Sequence, residues 1–315
     1  MQVTYDQGSI DRFAATLSRF QFADDNRLLC AVSGGPDSLA LLLLAQQAIP
    51  GRVGAATVDH QLRTESADEA KLVSRICRKL DVPHVILKPD QAIGGNIQSS
   101  ARMARYALLE RAADKQNCTH IATAHHADDQ LETLLMRLAR GSGIDGLSGI
   151  RARNGRVIRP LLEFTKAELI GICANAGVQT VDDPSNANAD FDRVTMRNWL
   201  ASTQHPFQAK RAARTASALA DASEALGWVT EQLSALKISR ENDVVICDAS
   251  GIPGELKRRL LIRSLLMLDP NLASRGAAID RLLTDLENAR TTMIGNIKCV
   301  GGQTWRFSQA PDRRS

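Results

Sequence analysis

Between residues 27 and 140 the chain alternates short apolar runs with longer segments whose apolar residues recur at helical spacing. Runs 27–32, 53–59, 84–88 and 120–124 predict strands, and 38–48, 66–80, 97–116 and 128–140 predict helices. Strands separated by whole helices connect through crossovers, which yields a parallel sheet covered on both faces. Such a sheet binds ligands beyond the carboxyl ends of its strands. After Pro206 the pattern changes. Residues 207–236 read as one Ala-rich helix, 253–268 and 276–289 as further helices, and 291–307 as short β-like pieces broken by Gly295, Gly301 and Gly302. With 315 residues, more than one core normally serves, two domains are expected. We therefore expect an α/β, doubly wound parallel sheet over 1–205, followed by a smaller, mainly helical domain over 206–315.

Composition narrows the function classes. The chain is 44% hydrophobic and 23% charged, as globular proteins are. Its longest greasy stretch, Leu39 to Leu44, is far short of the roughly 20 residues of a membrane helix. No signal peptide is visible at the start, and the six cysteines include no C-x-x-C pair, which predicts a soluble cytoplasmic protein without a zinc ribbon. The net charge of +4 lies entirely after residue 200. Earlier, Arg137, Arg140, Arg151, Arg153, Arg156 and Arg159 are offset only by Asp145, so this window is either a phosphate-binding patch or a solvated surface.

The first predicted strand runs directly into Ser33-Gly34-Gly35-Pro36-Asp37-Ser38 and then a helix. Two glycines permit positive φ and close approach of a ligand, and the helix N-terminus favours an anion. The Ser33 and Ser38 hydroxyls can add donors. The spacing and lysine of a Walker A loop are absent. A carboxylate beside phosphates, Asp37, makes sense if a divalent metal lies between them.

This loop resembles the PP-loop of N-type ATP pyrophosphatases, which cleave ATP between the α and β phosphates and adenylate an oxygen of the substrate. Further blocks narrow the likeness: Val58-Asp59-His60-Gln61-Leu62-Arg63; Ala101-Arg102-Met103-Ala104-Arg105-Tyr106; Thr123-Ala124-His125-His126-Ala127-Asp128-Asp129-Gln130-Leu131-Glu132-Thr133; Ile158-Arg159-Pro160; and Asp182-Asp183-Pro184-Ser185-Asn186. In this order they are similar to the tRNA(Ile)-lysidine synthetase family. The resemblance implies ATP, Mg²⁺, L-lysine and tRNA(Ile) with a CAU anticodon as reactants and partners. It implies that Ser33, Gly34, Gly35, Pro36, Asp37 and Ser38 hold ATP, with Asp37 on the metal. Asp37, Asp59, His125 and Asp129 are the catalytic candidates; Arg102, Arg105, Asp129, Glu132 and Arg193 are the substrate-binding ones. The family usually places Asn directly after the arginine at 193, and here Val194 stands there. Recognition of tRNA is expected from the arginine window and residues 206–315.

Rival readings stay open at this level. His125, His126, Asp128 and Asp129 with Asp59 and His60 could be the metal cluster of a phosphoesterase. A tRNA thiolase shares the adenylation step but usually uses paired cysteines. An RNA-binding module on a dead nucleotide fold would not need Asp37. Gly141 to Gly146 spells G-x-G-x-x-G, but after a helix rather than a strand, so a dinucleotide site is rejected. Leu131, Leu134, Leu135 and Leu138 are expected to form a buried stripe.

Overall fold

The computed structural model describes residues 6–59, 66–89, 97–181, 191–272 and 276–310. The described residues form two compact units divided between Ala218 and Leu219, later than the expected boundary near Pro206 and inside a helix. No described helix is long and apolar enough to cross a membrane.

The first unit runs α1 (Gln7–Arg19), β1 (Leu28–Ala31), α2 (Pro36–Ala48), β2 (Val53–Val58), α3 (Ser66–Lys79), β3 (His84–Leu87), α4 (Ile97–Lys115), β4 (His120–Ala122), α5 (Ala127–Ala139), α6 (Ile144–Leu147), β5 (Arg153–Asn154), β6 (Val157–Ile158), α7 (Lys166–Asn175) and α8 (Phe191–Ser202), and then the first turns of α9 (Ala209–Lys237). The strands are ordered β3-β2-β1-β4-β6-β5. All neighbours are parallel except the β5–β6 hairpin, which turns at Gly155 with φ 58°. The alternating pattern thus gives a mostly parallel α/β sheet. Strand β1 explains its unbroken apolar run: Leu28 and Cys30 pack with α1, α2 and α7, while Leu29 and Ala31 pack with α4 on the opposite face. Helix α2 is buried all round from Leu39 to Ala45, which is why its apolar residues follow no stripe. Chain order reverses between β1 and β4, which pair directly, so a crevice opens where their carboxyl ends diverge.

The sequence reading gave no helix at α1, α6, α7 or α8, although two of these carry clear caps. Asp6 caps α1 by accepting from the Gly8 and Ser9 amides, and Thr165 with Glu168 forms a reciprocal capping box at α7. The expected leucine stripe on α5 is only partly right: Leu131 is buried, but Leu138 is 61% exposed.

The second unit corrects the expectation of a mainly helical domain. After the rest of α9 come β7 (Ile238–Glu241), β8 (Val244–Asp248), α10 (Gly254–Leu266), α11 (Gly276–Glu287), β9 (Thr291–Ile294), β10 (Ile297–Val300) and β11 (Thr304–Gln309). The strands form a five-stranded antiparallel sheet ordered β7-β8-β11-β10-β9. Short turns at Asn242 (φ 53°) and Gly295 (φ 56°) close two hairpins. Val245, Cys247, Trp305, Phe307, Ile297 and Cys299 alternate onto one face, where Leu260, Leu261, Leu265, Ile279, Leu282 and Leu286 of the two helices cover them. The basic residues of α10 are ion-paired: Lys257 with Glu287, Arg258 with Asp280, Arg259 with Glu255 and Arg263 with Glu231.

Candidate nucleotide-binding active site

Two loops leave the sheet at the β1–β4 crevice and build a cavity of 760 Å³. The first follows β1. Gly34 sits at φ 98°, a conformation that favours glycine, and a Cβ there would touch Val73 at 3.5 Å. Gly35 precedes Pro36, the first residue of α2, whose fixed φ and missing N–H suit that position. Of the two expected hydroxyl donors, Ser38 is buried and turned into the loop: its Oγ accepts from Ser33 N at 3.1 Å and donates to the Gly35 carbonyl at 3.0 Å, while Ser33 is exposed at the cavity. These bonds set the loop's shape, leaving the backbone amides of the first α2 turn without intrahelical partners and the positive helix end facing the cavity. Val181 N donates to the Gly34 carbonyl at 3.0 Å and secures the loop from behind.

The second loop follows β4. His126 precedes α5, and its amide donates to Asp129 Oδ2 at 3.0 Å. Its ring is buried among three carboxylates: Nε2 lies 3.5 Å from Asp37 and 3.6 Å from Asp129, and Nδ1 lies 3.6 Å from Asp128. Burial opposes charge on this ring, but the surrounding carboxylates of Asp128, Asp37 and Asp129 outweigh it and raise the pKa to about 10. His126 is therefore an imidazolium that ties the phosphate loop to α5. The sequence had drawn attention to its neighbour, His125. That ring also lines the cavity, but burial, helped by Arg159, Arg102 and Arg105, lowers its pKa to about 4 against the pull of Asp129. It is a neutral imidazole beside Thr123 Oγ1 at 3.1 Å.

Glu132 is 4% exposed and already engaged. Arg197 grips it with Nε at 2.7 Å and Nη2 at 3.0 Å, and Arg193 Nε lies 3.5 Å away while its Nη2 donates to Thr133 at 2.8 Å. Arg197 was not among the expected site residues, and His126 was weighed only as part of a metal cluster; Glu132 and Asp37, the groups they meet, are distant from them in the chain. Of the two α4 arginines expected at the substrate, Arg105 lines the cavity, with burial lowering its pKa, whereas Arg102 lies over the Tyr106 ring. Asp59 is buried at the end of β2 and is not among the described residues that line the cavity; its neighbour His60 lies outside the described residues, as do residues 182–186. The arginine window divides. Arg156 is consumed by Glu110 and Asp114, and Arg159 is buried with Nη1 on the Arg151 carbonyl at 2.7 Å, while Arg137, Arg140, Arg151 and Arg153 are exposed.

The donor set suits a divalent cation shared with phosphates. Asp37 Oδ1 is buried and has no hydrogen-bond partner, an acceptor left over at the mouth of the phosphate loop. Among the described residues no three His, Cys, Asp or Glu side chains could hold a metal by themselves. Magnesium is commonly held by one or two carboxylates plus substrate phosphates. A phosphoesterase metal cluster does not form among these residues.

A glycine loop between the first strand and a buried helix, at the switch point of a mostly parallel sheet, defines a PP-loop ATP-binding domain, and residues 6–204 match the PP-loop domain family. Such a domain implies ATP use. The chain is 41% identical over 303 residues to a tRNA(Ile)-lysidine synthase of Zymomonas mobilis, covering 91% of this chain and 90% of that one. It is 40% identical over 318 residues to the corresponding synthase of Novosphingobium aromaticivorans, covering 98% and 96%. The chain belongs to the tRNA(Ile)-lysidine synthase family. Among solved structures, a U34-tRNA thiolase from Methanococcus maripaludis with a [4Fe-4S] cluster is similar in fold, with a TM-score of 0.56 at 17% identity over 68% of this chain and 78% of that one.

Proposed function

We propose that the protein joins L-lysine to C2 of the wobble cytidine of tRNA(Ile) bearing a CAU anticodon, consuming ATP and forming lysidine. The observation that carries this reading is one cavity at the β1–β4 crevice, lined by both the phosphate loop and the acidic start of α5, in a chain of this family. The cytidine C2 oxygen attacks the α-phosphate of ATP, pyrophosphate leaves, and the lysine ε-amine then displaces AMP from C2. The free amides of α2 and its dipole stabilise the charge that builds on the phosphate. Asp37 would hold Mg²⁺ in part, and the ion would supply further neutralisation when bound. The imidazolium of His126 holds Asp37 in place and keeps three clustered carboxylates compatible with an anionic nucleotide.

The ε-amine has to lose a proton. With a reference pKa near 10.4, this costs about 4.6 kcal/mol at pH 7. His125 lines the cavity, but with its pKa lowered to about 4 the neutral ring is too weak a base to take this proton; Asp129 is the carboxylate best placed to hold the lysine cation. Glu132 is committed to Arg197 and Arg193, so its part is to position those two arginines rather than to receive lysine alone. Arg105 and the arginines of α8 face the anionic substrates. Asp59, a catalytic candidate from the sequence, is buried at the end of β2 away from the described cavity lining, so no step is given to it. The cysteine chemistry of a thiolase has no support: all six cysteines are free and buried, and burial pushes Cys77 and Cys173 up to about 12. Reduced, unpaired thiols suit a cytoplasmic enzyme.

The test is incorporation of labelled lysine into a tRNA(Ile) transcript carrying CAU, with ATP and Mg²⁺, against initiator methionine tRNA. Stable label on the isoleucine tRNA is expected. ATP cleavage to AMP and pyrophosphate without label would refute the substrate while retaining the fold.

A further inference from the structure

Aromatic residues make up only 4% of this chain; Trp305, Phe13 and Phe164 are almost wholly buried, and Trp228 stands exposed by itself among the described residues. Against that background three rings gather at the edge of the active-site cavity. Trp199 near the end of α8 lies 6.0 Å from His205 with the planes 22° apart; Phe207 is 5.8 Å from His205 and 6.4 Å from Trp199. His205 is held by donating from Nε2 to the Leu200 carbonyl at 3.1 Å. His205 and Phe207 line the same cavity as Asp37 and Asp129. A cluster that served only to join α8 to α9 would hide its rings, as the cores elsewhere do. Here Trp199 and Phe207 each keep 42% of their surface exposed.

A second observation lies in the next turns of the chain. Helix α9 starts two residues after Phe207 and buries Ala212, Ala213 and Ala216 while exposing Arg211 and Arg214 three positions apart. Neither arginine has an acidic partner among the described residues, whereas the adjacent Lys210 is paired with Glu168 at 2.9 Å. Exposed rings followed by unneutralised cations are what a single-stranded polyanion with flat bases requires: a ring offers its face to any base, and the guanidinium groups take the phosphates.

We infer that Trp199, His205 and Phe207 form a stacking platform for an unstacked base of the anticodon loop adjoining the reacting cytidine, with Arg211 and Arg214 on the neighbouring phosphates. This rests on the proposed RNA substrate. To reach the cavity the cytidine must leave the anticodon stack, which strips its neighbour of one stacking face. The platform replaces that face at the cavity edge and so positions the nucleotide that enters.

The test uses the full chain with Trp228→Phe, which removes the exposed tryptophan of the second unit and leaves two tryptophans, Trp199 and the buried reference Trp305. Titration with an anticodon stem-loop RNA should quench Trp199 emission. The same RNA made abasic at the positions flanking the wobble cytidine should quench it weakly. Trp199→Leu and Phe207→Leu should each weaken RNA binding about 5- to 150-fold, the range measured for a lost base–aromatic stack, with ATP affinity unchanged. Trp199→Phe and Phe207→Tyr should stay near the parent, and because they keep the packing they decide the question if a leucine variant unfolds. Absence of quenching together with parental RNA affinity in the leucine variants, in an enzyme that still incorporates lysine, overturns the platform. Failure of the parent enzyme to bind or modify the RNA overturns the proposed substrate instead.

Discussion

The contact between Glu132 and Arg197 offers the sharpest check on how this site is organised. The carboxylate is almost fully buried on α5, the guanidinium on α8 is partly exposed, and two bonds at 2.7 and 3.0 Å join them. Each charge-assisted hydrogen bond contributes about 1.5–3 kcal/mol when buried, and exposure of the arginine end reduces this. Arg193 remains as a second partner at 3.5 Å and recovers part of the loss. A coupling of about 1–3 kcal/mol is therefore expected from a double-mutant cycle with Glu132→Gln and Arg197→Met, read by urea denaturation. The single change Glu132→Gln should cost more stability than Arg197→Met does, because it leaves two arginines facing the cavity without their anion. Kinetically, Glu132→Ala should raise the lysine KM by releasing Arg197 and Arg193 into the site, with ATP binding nearly intact. If the coupling falls below about 0.5 kcal/mol while the lysine KM rises sharply, Glu132 binds lysine directly and the positioning role assigned to it is wrong.

Other expectations follow from single contacts. Glu168 is held by Lys210, Thr165 and Arg12, which outweigh its desolvation and lower its pKa to about 2. Its contribution is complete above the ordinary carboxylate range near 4.5 and is lost as pH falls towards 2. After discounting for its partial exposure it is worth about 1–2 kcal/mol, so acid unfolding of Glu168→Gln should show a shallower pH dependence than the parent over that window. Gly149→Ala should destabilise by about 1–2 kcal/mol: φ is 65° there, and the new Cβ would fall 2.3 Å from Oε1 of Gln130, which holds Ile150 through both its amide and its carbonyl. An unchanged melting curve would refute that account. RNA affinity should fall steeply with salt, and Arg211→Ala should lower the slope of log K against log salt by about 0.7–0.9. An unaltered slope would mean that this arginine touches no phosphate.

The phosphate loop and the α/β unit around it were legible because their signals are local. A strand, two glycines, a proline and a helix follow one another directly, and short apolar runs alternating with longer helical segments marked strands β1 to β4 and helices α2 to α5 to within a few residues. The capping box at α7 was equally local, and reading Thr165 with Glu168 would have revealed it. What the tertiary structure decided depends on partners far apart in the chain. The sheet of the second unit joins β8 to β11, so Cys247 meets Trp305 only once the intervening helices fold back; the β-like pieces read over 291–307 became β9 to β11, whereas β7 and β8 carried too little local pattern to be seen. Glu132 looked like a free acid until α8 brought Arg197 to it across 65 residues. His126 and His125, adjacent in the sequence, separated into a charged clamp and a neutral ring because only one of them faces Asp37. Arg156 and Arg159 left the supposed phosphate patch for buried or paired positions. Periodicity and turn chemistry are properties of a short stretch of chain, whereas charge state depends on which groups the fold brings within a few ångströms and how much water it removes from between them.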